Sequence, residues 1–403
     1  MLHINVIPRF ALPYGPGDLV AAAAALFRNQ IPSPDPFEKV IGPGEKFWTS
    51  SGRQALWLAI KGLDLDPGSG VAVPLFNDLS VATAVVNAGC RPIFIDIKEE
   101  TVTMDPDSLF AARGQFSAVV VTHLFGQVAD LKRIRETAGA VPLVEDTVHA
   151  PLSRLDGQEV GNFGLACFHS FASTKYWPAG GGGLLIARDS KIASRVAEEV
   201  RLLERQSPID EWKNLLLQIA KAALFCRLAY GILGVTMRPW AEKRAFLEPV
   251  LSRKQIQRPH AAVALRQALR FRERVSRQRE NSLYLLSLLK GAEGIRLPWE
   301  WPGASYNYHI FPVLMADERE RSAVAAASLS QGVDTSHIYS ESIDHGRRLG
   351  YQGGCPVAES VATRLLTLPN YASLSRADIS RVARAFLQAL HQYRLNSRSR
   401  QGT

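Results

Sequence analysis

"ACFHSFASTKYWPAGGGGLLIAR" occupies residues 166–188. Two short apolar runs, 166–171 and 182–188, flank one lysine, Lys175, and four consecutive glycines at 180–183. Short runs of near-continuous apolarity predict strands buried on both faces. The lysine precedes the glycines, the reverse of their order in a phosphate-binding P-loop. Lys175 is therefore either a surface lysine beside a turn or an amine held near a strand end.

The same strand pattern recurs in "VAVPL" (71–75), "PIFIDI" (92–97), "AVVVTHLF" (118–125) and "PLVED" (142–146). Helical stretches such as "SGRQALWLAIKGL" and "DLKRIRETAG" lie between them. This alternation predicts an α/β fold with a mostly parallel sheet, whose ligands bind at the carboxyl ends of the strands. Beyond residue 255 a helical segment leads to a strand in "YNYHIFPVLM", a glycine-stopped helix in "ERERSAVAAASLSQGV" and a capped helix in "SLSRADISRVARAFLQALHQY". A chain of 403 residues has room for two domains. The reading places a large α/β domain with an N-terminal arm over 1–250 and a smaller C-terminal α+β domain over 251–403. Residues 207–250 read as a helical insertion in the first. Lys213, Lys221 and Arg227 interrupt its apolar run, which falls short of the roughly 20 residues that cross a bilayer. Such a helix is buried against the body or a subunit partner, or lies on a membrane surface as a peripheral contact.

Composition fits a soluble globular chain, 46% hydrophobic and 21% charged. The net charge of +9 suits either an anionic partner or a generally basic surface, and the tail "YRLNSRSRQGT" is expected to fray. The four cysteines, Cys90, Cys167, Cys226 and Cys355, form no C-x-x-C pair, which argues against zinc and fits a reducing compartment. No signal peptide, H-E-x-x-H site or serine-hydrolase elbow is read. No metal and no nucleic-acid partner is expected.

Asp146 closes the strand "PLVED", where it is a helix N-cap or a ligand-facing carboxylate. Lys175 follows 29 positions later. If their strands are neighbours, both side chains reach one crevice. An imine-forming lysine is expected to have a depressed pKa. Pyridoxal phosphate (PLP) requires such a lysine together with an acid that keeps its ring nitrogen protonated. Ser-Gly-Arg at 51–53 opens an apolar helix, and helix N-termini bind phosphate. Ser170 adds a hydroxyl at the end of its strand. The glycines read as a tight turn bringing the next strand close to the cofactor.

In this order the pieces resemble the PLP-dependent sugar aminotransferases of the DegT/DnrJ/EryC1/StrS family, which have the aspartate aminotransferase type I fold. The matching stretches include "SGRQALWLA", "AGCRPIFIDI", "THLFGQVADL", "VEDTVHA", "VGNFGLACFHSF", "STK" and "CPVAESVATRLLTLPNY", across about 45–200 and 255–390. The resemblance implies that Lys175 carries the cofactor. It puts Asp146 on the pyridine nitrogen, His149 beside the ring hydroxyl, and Ser170, Gly52 and Arg53 on the phosphate. Asp78 stands where the family has a ring-stacking aromatic, which leaves Phe76 as the stacking candidate. The family's G-Y-N-x-R stretch is absent, and 207–250 occupies its region. The implied substrate pocket draws on the 76–80 loop, the His337–Tyr339 region and a partner subunit.

The implied reaction moves an amino group from an amino acid donor, glutamate, to a keto group on a nucleotide-linked sugar. It would be carried out by a cytoplasmic homodimer in cell-surface polysaccharide or secondary-metabolite biosynthesis. Two alternatives stay open: another PLP reaction on a different keto substrate, and a non-catalytic protein on the same fold. Retention of Lys175 with Asp146 speaks against the second.

Overall fold

The computed structural model describes residues 5–12, 14–225, 229–236 and 250–401. Among the described residues twelve strands form: β1 Glu45–Thr49, β2 Gly70–Pro74, β3 Arg91–Ile95, β4 Ala118–Thr122, β5 Leu143–Asp146, β6 Arg154–Leu155, β7 Gln158–Glu159, β8 Ala166–Ser170, β9 Gly183–Ala187, β10 Ala304–Ser305, β11 Phe311–Leu314 and β12 Leu365–Leu368. Seven make the central sheet, in the order β1-β9-β8-β5-β4-β2-β3. β3, β2, β4, β5 and β8 pair in parallel; β9 runs antiparallel to both β8 and β1.

Alternate residues of these strands feed two different cores, because successive side chains point to opposite faces. Val71, Val73 and Val120 pack with Leu56, Ile60 and Val85 from the helices Gly52–Gly62 and Leu79–Asn87. Ala72, Val119 and Val121 pack on the other side with Ile134 of the helix Leu131–Ala138 and with Leu285, Ile379 and Phe386 from the C-terminal part. With both faces covered, β2, β4, β8 and β9 are buried along their whole length, which explains their unbroken apolarity. β11 and β12 form a separate antiparallel pair. β6, β7 and β10 form a small third sheet.

Four details depart from the sequence reading. The strand "EKFWT" (45–49) was not singled out: it is an edge strand with charged and exposed residues at its start, so it lacks a continuous apolar run. The run 118–125 ends as a strand at Thr122, because Phe125 turns the backbone left-handed at φ 61°. In "YNYHIFPVLM" only Phe311–Leu314 is strand, and the residues before it form a loop. The C-terminal tail does not fray at Tyr393, since the helix Arg376–Gln401 runs on through it.

Within 207–250 a helix spans Pro208–Leu224 and a π-helical turn spans Tyr230–Gly234. Cys226, Arg227 and residues 237–249 lie outside the described residues. Among the described residues no helix is long and apolar enough to cross a membrane.

Candidate active site

The parallel register puts the carboxyl ends of β4, β5 and β8 side by side. Thr122 pairs with Asp146, and Asp146 with Phe168. A cavity of about 850 Å³ is lined there by Arg53, Asp78, His149 and Lys175. Each follows the end of a central strand by a few residues. The neighbouring strands that the sequence required are thus in place. Arg9, Arg270, Arg274, Arg277, His309 and Tyr339 complete much of the opposite wall.

Lys175 is largely buried, its side chain 15% exposed. Its Nζ lies 3.4 Å from Asp78 Oδ2, 3.1 Å from His149 Nε2 and 3.3 Å from the Tyr339 hydroxyl. Burial alone would strip its proton, but Tyr339, Asp78 and Asp146 favour the ammonium and win, so Lys175 is held above its ordinary range. The expected depression is therefore corrected for the protein without cofactor: two carboxylates outweigh the low polarity of the site. Burial raises the Tyr339 hydroxyl, so it stays protonated at neutral pH and acts as a hydrogen-bonding group.

His149 is neutral, because burial and then the Lys175 and His309 neighbours hold it well below its ordinary value. Its Nδ1 accepts from the Phe125 N–H at 3.2 Å. That bond assigns the ring proton to Nε2, the atom facing Lys175 and Tyr339. Phe125 and Tyr339 both sit at φ 61°, in the left-handed region. Each costs about 1–3 kcal/mol. Their rings lie nearly parallel, 6.1 Å apart at 12°.

Asp146 is buried behind this wall. Its Oδ1 accepts from the Val148 N–H at 3.1 Å and its Oδ2 from the Thr122 hydroxyl at 3.3 Å. Burial pushes it up to about 6, only partly offset by the Val148 N–H and the Lys175 charge. Ser51 caps the helix Gly52–Gly62 by accepting from the Gln54 N–H. A Cβ on Gly52 would come within 2.8 Å of the Ser170 Cβ, so glycine alone lets this helix start reach the end of β8. Ser50 Oγ and Arg53 Nε are buried there without a hydrogen-bond partner among the described residues.

These groups fit PLP. A buried carboxylate awaits a cation, an amine stands beside it, and a helix N-terminus offers amides with two unsatisfied side-chain donors.

Phe76 does not lie on the cavity wall. It is fully buried, edge-on to Phe125 and Tyr339 at 6.4 and 6.1 Å. Beyond Pro74 the chain turns it into the apolar cluster with Leu75 and Ile343. Asp78, half exposed, faces the cavity in its place and also caps the helix Leu79–Asn87 through the Ser80 N–H. The glycine turn has two sides: the Gly182 N–H donates to the Ser50 carbonyl at 3.1 Å, which sets the start of β9 against the helix start beside the site, and the first two glycines face away from it. A Cβ on Gly180 would strike Gln218, and one on Gly181 would strike His260, so the turn packs under the helices Pro208–Leu224 and Arg258–Ala268.

The loop before β11 supplies residues that the sequence reading did not single out. Asn307 Nδ2 donates to the carbonyls of His149 and Pro151 at 3.0 and 2.9 Å. The His309 ring lies tilted between those of His149 and Tyr176, at 4.8 and 4.9 Å. The run "YNYHIF" is the signal that could have found them: two polar side chains between large aromatics.

The sequence profile of the DegT/DnrJ/EryC1/StrS aminotransferase family matches residues 36–387. The chain is 28% identical to the UDP-N-acetyl-3-dehydro-alpha-D-glucosamine 3-aminotransferase of Acidithiobacillus ferrooxidans, covering 85% of this chain and 83% of that one. It is 27% identical to the dTDP-4-dehydro-2,3,6-trideoxy-D-glucose 4-aminotransferase of Saccharopolyspora spinosa, covering 88% and 86%. Among solved structures it is similar to the aminotransferase TlmJ of Streptoalloteichus hindustanus, with TM-score 0.76, 26% identity and coverage of 96% and 99%.

Proposed function

Because the chain belongs to the DegT/DnrJ/EryC1/StrS aminotransferase family and is a PLP-dependent aminotransferase, we propose that its acceptor is a nucleotide-linked keto sugar and its donor glutamate. The observation that carries the site assignment is the meeting of Lys175, Asp146 and the Gly52 helix start at adjacent strand ends. The names of the relatives and the arginines of the cavity wall support an anionic acceptor.

PLP supplies an aldehyde that condenses with amines and a ring that takes up electrons from the carbon beside them. The proposed roles of the chain follow from position. The Gly52 and Arg53 amides, the Arg53 side chain and Ser170 hold the phosphate. Asp146 keeps a proton on the ring nitrogen. Lys175 Nζ carries the proton that moves during transfer. The Tyr339 hydroxyl, which His149 Nε2–H also reaches, orients that amine, and Asp78 Oδ2 accepts a hydrogen bond from its ammonium form. The division near residue 250 into a cofactor-binding part and a smaller C-terminal part belongs to the same proposal. So do a homodimer and a cytoplasmic setting, the latter supported by the free Cys90, Cys167 and Cys355.

The test is a pair of half-reactions. Glutamate is expected to convert the bound cofactor to its amine form and release 2-oxoglutarate. A nucleotide-linked keto sugar then regenerates the aldehyde form and gains an amine detectable by mass. Conversion by glutamate without regeneration by any such sugar would reject the acceptor while keeping the aminotransferase.

A further inference from the structure

The helix Pro208–Leu224 is inside out. Its buried face presents Glu211, Leu215 and Gln218 to the body. Glu211 is locked on Arg258, accepting from its backbone N–H and its Nε, both at 2.9 Å. Gln218 lies on Gly180, where a Cβ would come within 2.1 Å of its Nε2. The outward face carries Ile209, Trp212, Leu216 and Ile219, which are 65%, 46%, 62% and 42% exposed. Their spacing of three or four residues makes one continuous stripe. Phe27, 80% exposed, extends it, with its ring edge-on to Trp212 at 6.2 Å. Ile232 and Leu233 of the next turn are also exposed. A surface helix of a protein bathed only in water carries the opposite pattern, and an apolar patch of this kind marks a contact.

We propose that this face is a membrane-docking surface that lies on an anionic phospholipid bilayer. The charges choose between occupants. Lys213 and Lys221 stand exposed on the helix. Its two carboxylates are engaged, Glu211 on Arg258 and Asp210 with Lys254 at 3.5 Å. A second copy meeting this face across a twofold axis would bring lysine against lysine, with no unengaged carboxylate on the helix Pro208–Leu224 to offset them. An anionic bilayer offers the opposite charge and accepts the apolar stripe at the depth of its headgroups. The net charge of +9 adds attraction at longer range. No helix among the described residues is long and apolar enough to cross a membrane, so the contact proposed for this face is peripheral. The proposal does not depend on the acceptor assigned above.

The test uses the full-length holoprotein and sedimentation with vesicles of phosphatidylcholine alone, or of phosphatidylcholine with phosphatidylglycerol. The protein is expected to sediment with the anionic vesicles and far less with the neutral ones. The Lys213→Gln, Lys221→Gln variant lowers that partitioning about tenfold or more. The Trp212→Gln, Leu216→Gln, Ile219→Gln variant abolishes it. Retained cofactor absorbance and an unchanged melting temperature show that both variants are folded. Absence of vesicle binding by the unsubstituted protein, equal binding to neutral vesicles, or binding untouched by the triple substitution overturns the proposal. A fall in oligomeric mass of the triple variant without vesicles, measured by light scattering, also overturns it, since the face would then join two copies.

Discussion

At Lys175 the protein without cofactor holds its proton tightly, and Asp78 is a main reason. Asp78→Asn is therefore expected to lower the pH at which Lys175 reacts with an acylating reagent, followed by peptide mass mapping; an unmoved profile contradicts the charge assignment. Asp146 gives a second check. In the folded protein without cofactor it keeps its proton up to about pH 6, against an ordinary value of 3.8. Its folded value is raised, so its contribution is fully present below about pH 4 and is lost as pH rises through 6. That difference amounts to about 3 kcal/mol. Asp146→Asn should flatten this slope in thermal melts, and a slope that survives the substitution places its origin elsewhere. The same variant should release PLP roughly 10- to 100-fold more readily, as expected for a lost charge-assisted hydrogen bond. Lys175 and Asp146 were legible because each lies at or a few residues past the end of an apolar run. The proton affinity of Lys175 was not, because Tyr339, 164 residues away in sequence, sets it together with Asp78 and Asp146.

At the level of elements, the strands of the central sheet could be read because both faces are buried, and β1 could not because it is an edge. The site depends on close backbone approaches that only glycine permits. Gly52→Ala would push the helix start off Ser170, costing about 1–3 kcal/mol of stability and weakening the hold on PLP more than on pyridoxal, which lacks the phosphate. Equal loss for both ligands would show that this helix does not serve the phosphate. Gly126 sits at φ 90°, where a Cβ would meet Asn307 Oδ1 at 2.0 Å. Gly126→Ala is therefore expected to displace the loop that supports His149 and to lower the melting temperature. A melt matching the unsubstituted protein contradicts the role given to Asn307. The glycine turn 180–183 shows the limit of local reading. Gly182 and Gly183 lie against Thr49–Ser51 beside the helix start, in line with service to the site, but Gly180 and Gly181 pack on Gln218 and His260, which no local pattern connects to them.

Over the whole molecule, one cavity gathers residues from Arg9 to Ser373. The cofactor side came from a contiguous run of motifs between residues 50 and 175. The opposite wall, with Arg270, Arg274 and Arg277, comes from a helix whose charged face looks like ordinary solvated surface until the chain folds back over the sheet. The inverted helix Pro208–Leu224 was visible as apolar, but which face it turns outward is a tertiary fact. All of these assignments hang on Lys175 as the residue that carries PLP. The most direct measurement is borohydride reduction of the purified holoprotein followed by peptide mass mapping, beside the visible spectrum of Lys175→Ala. The account predicts the reduced cofactor on the peptide containing Lys175, and a variant that lacks the visible band even after incubation with PLP. Cofactor fixed to another lysine, or a band that persists in the variant, would contradict it.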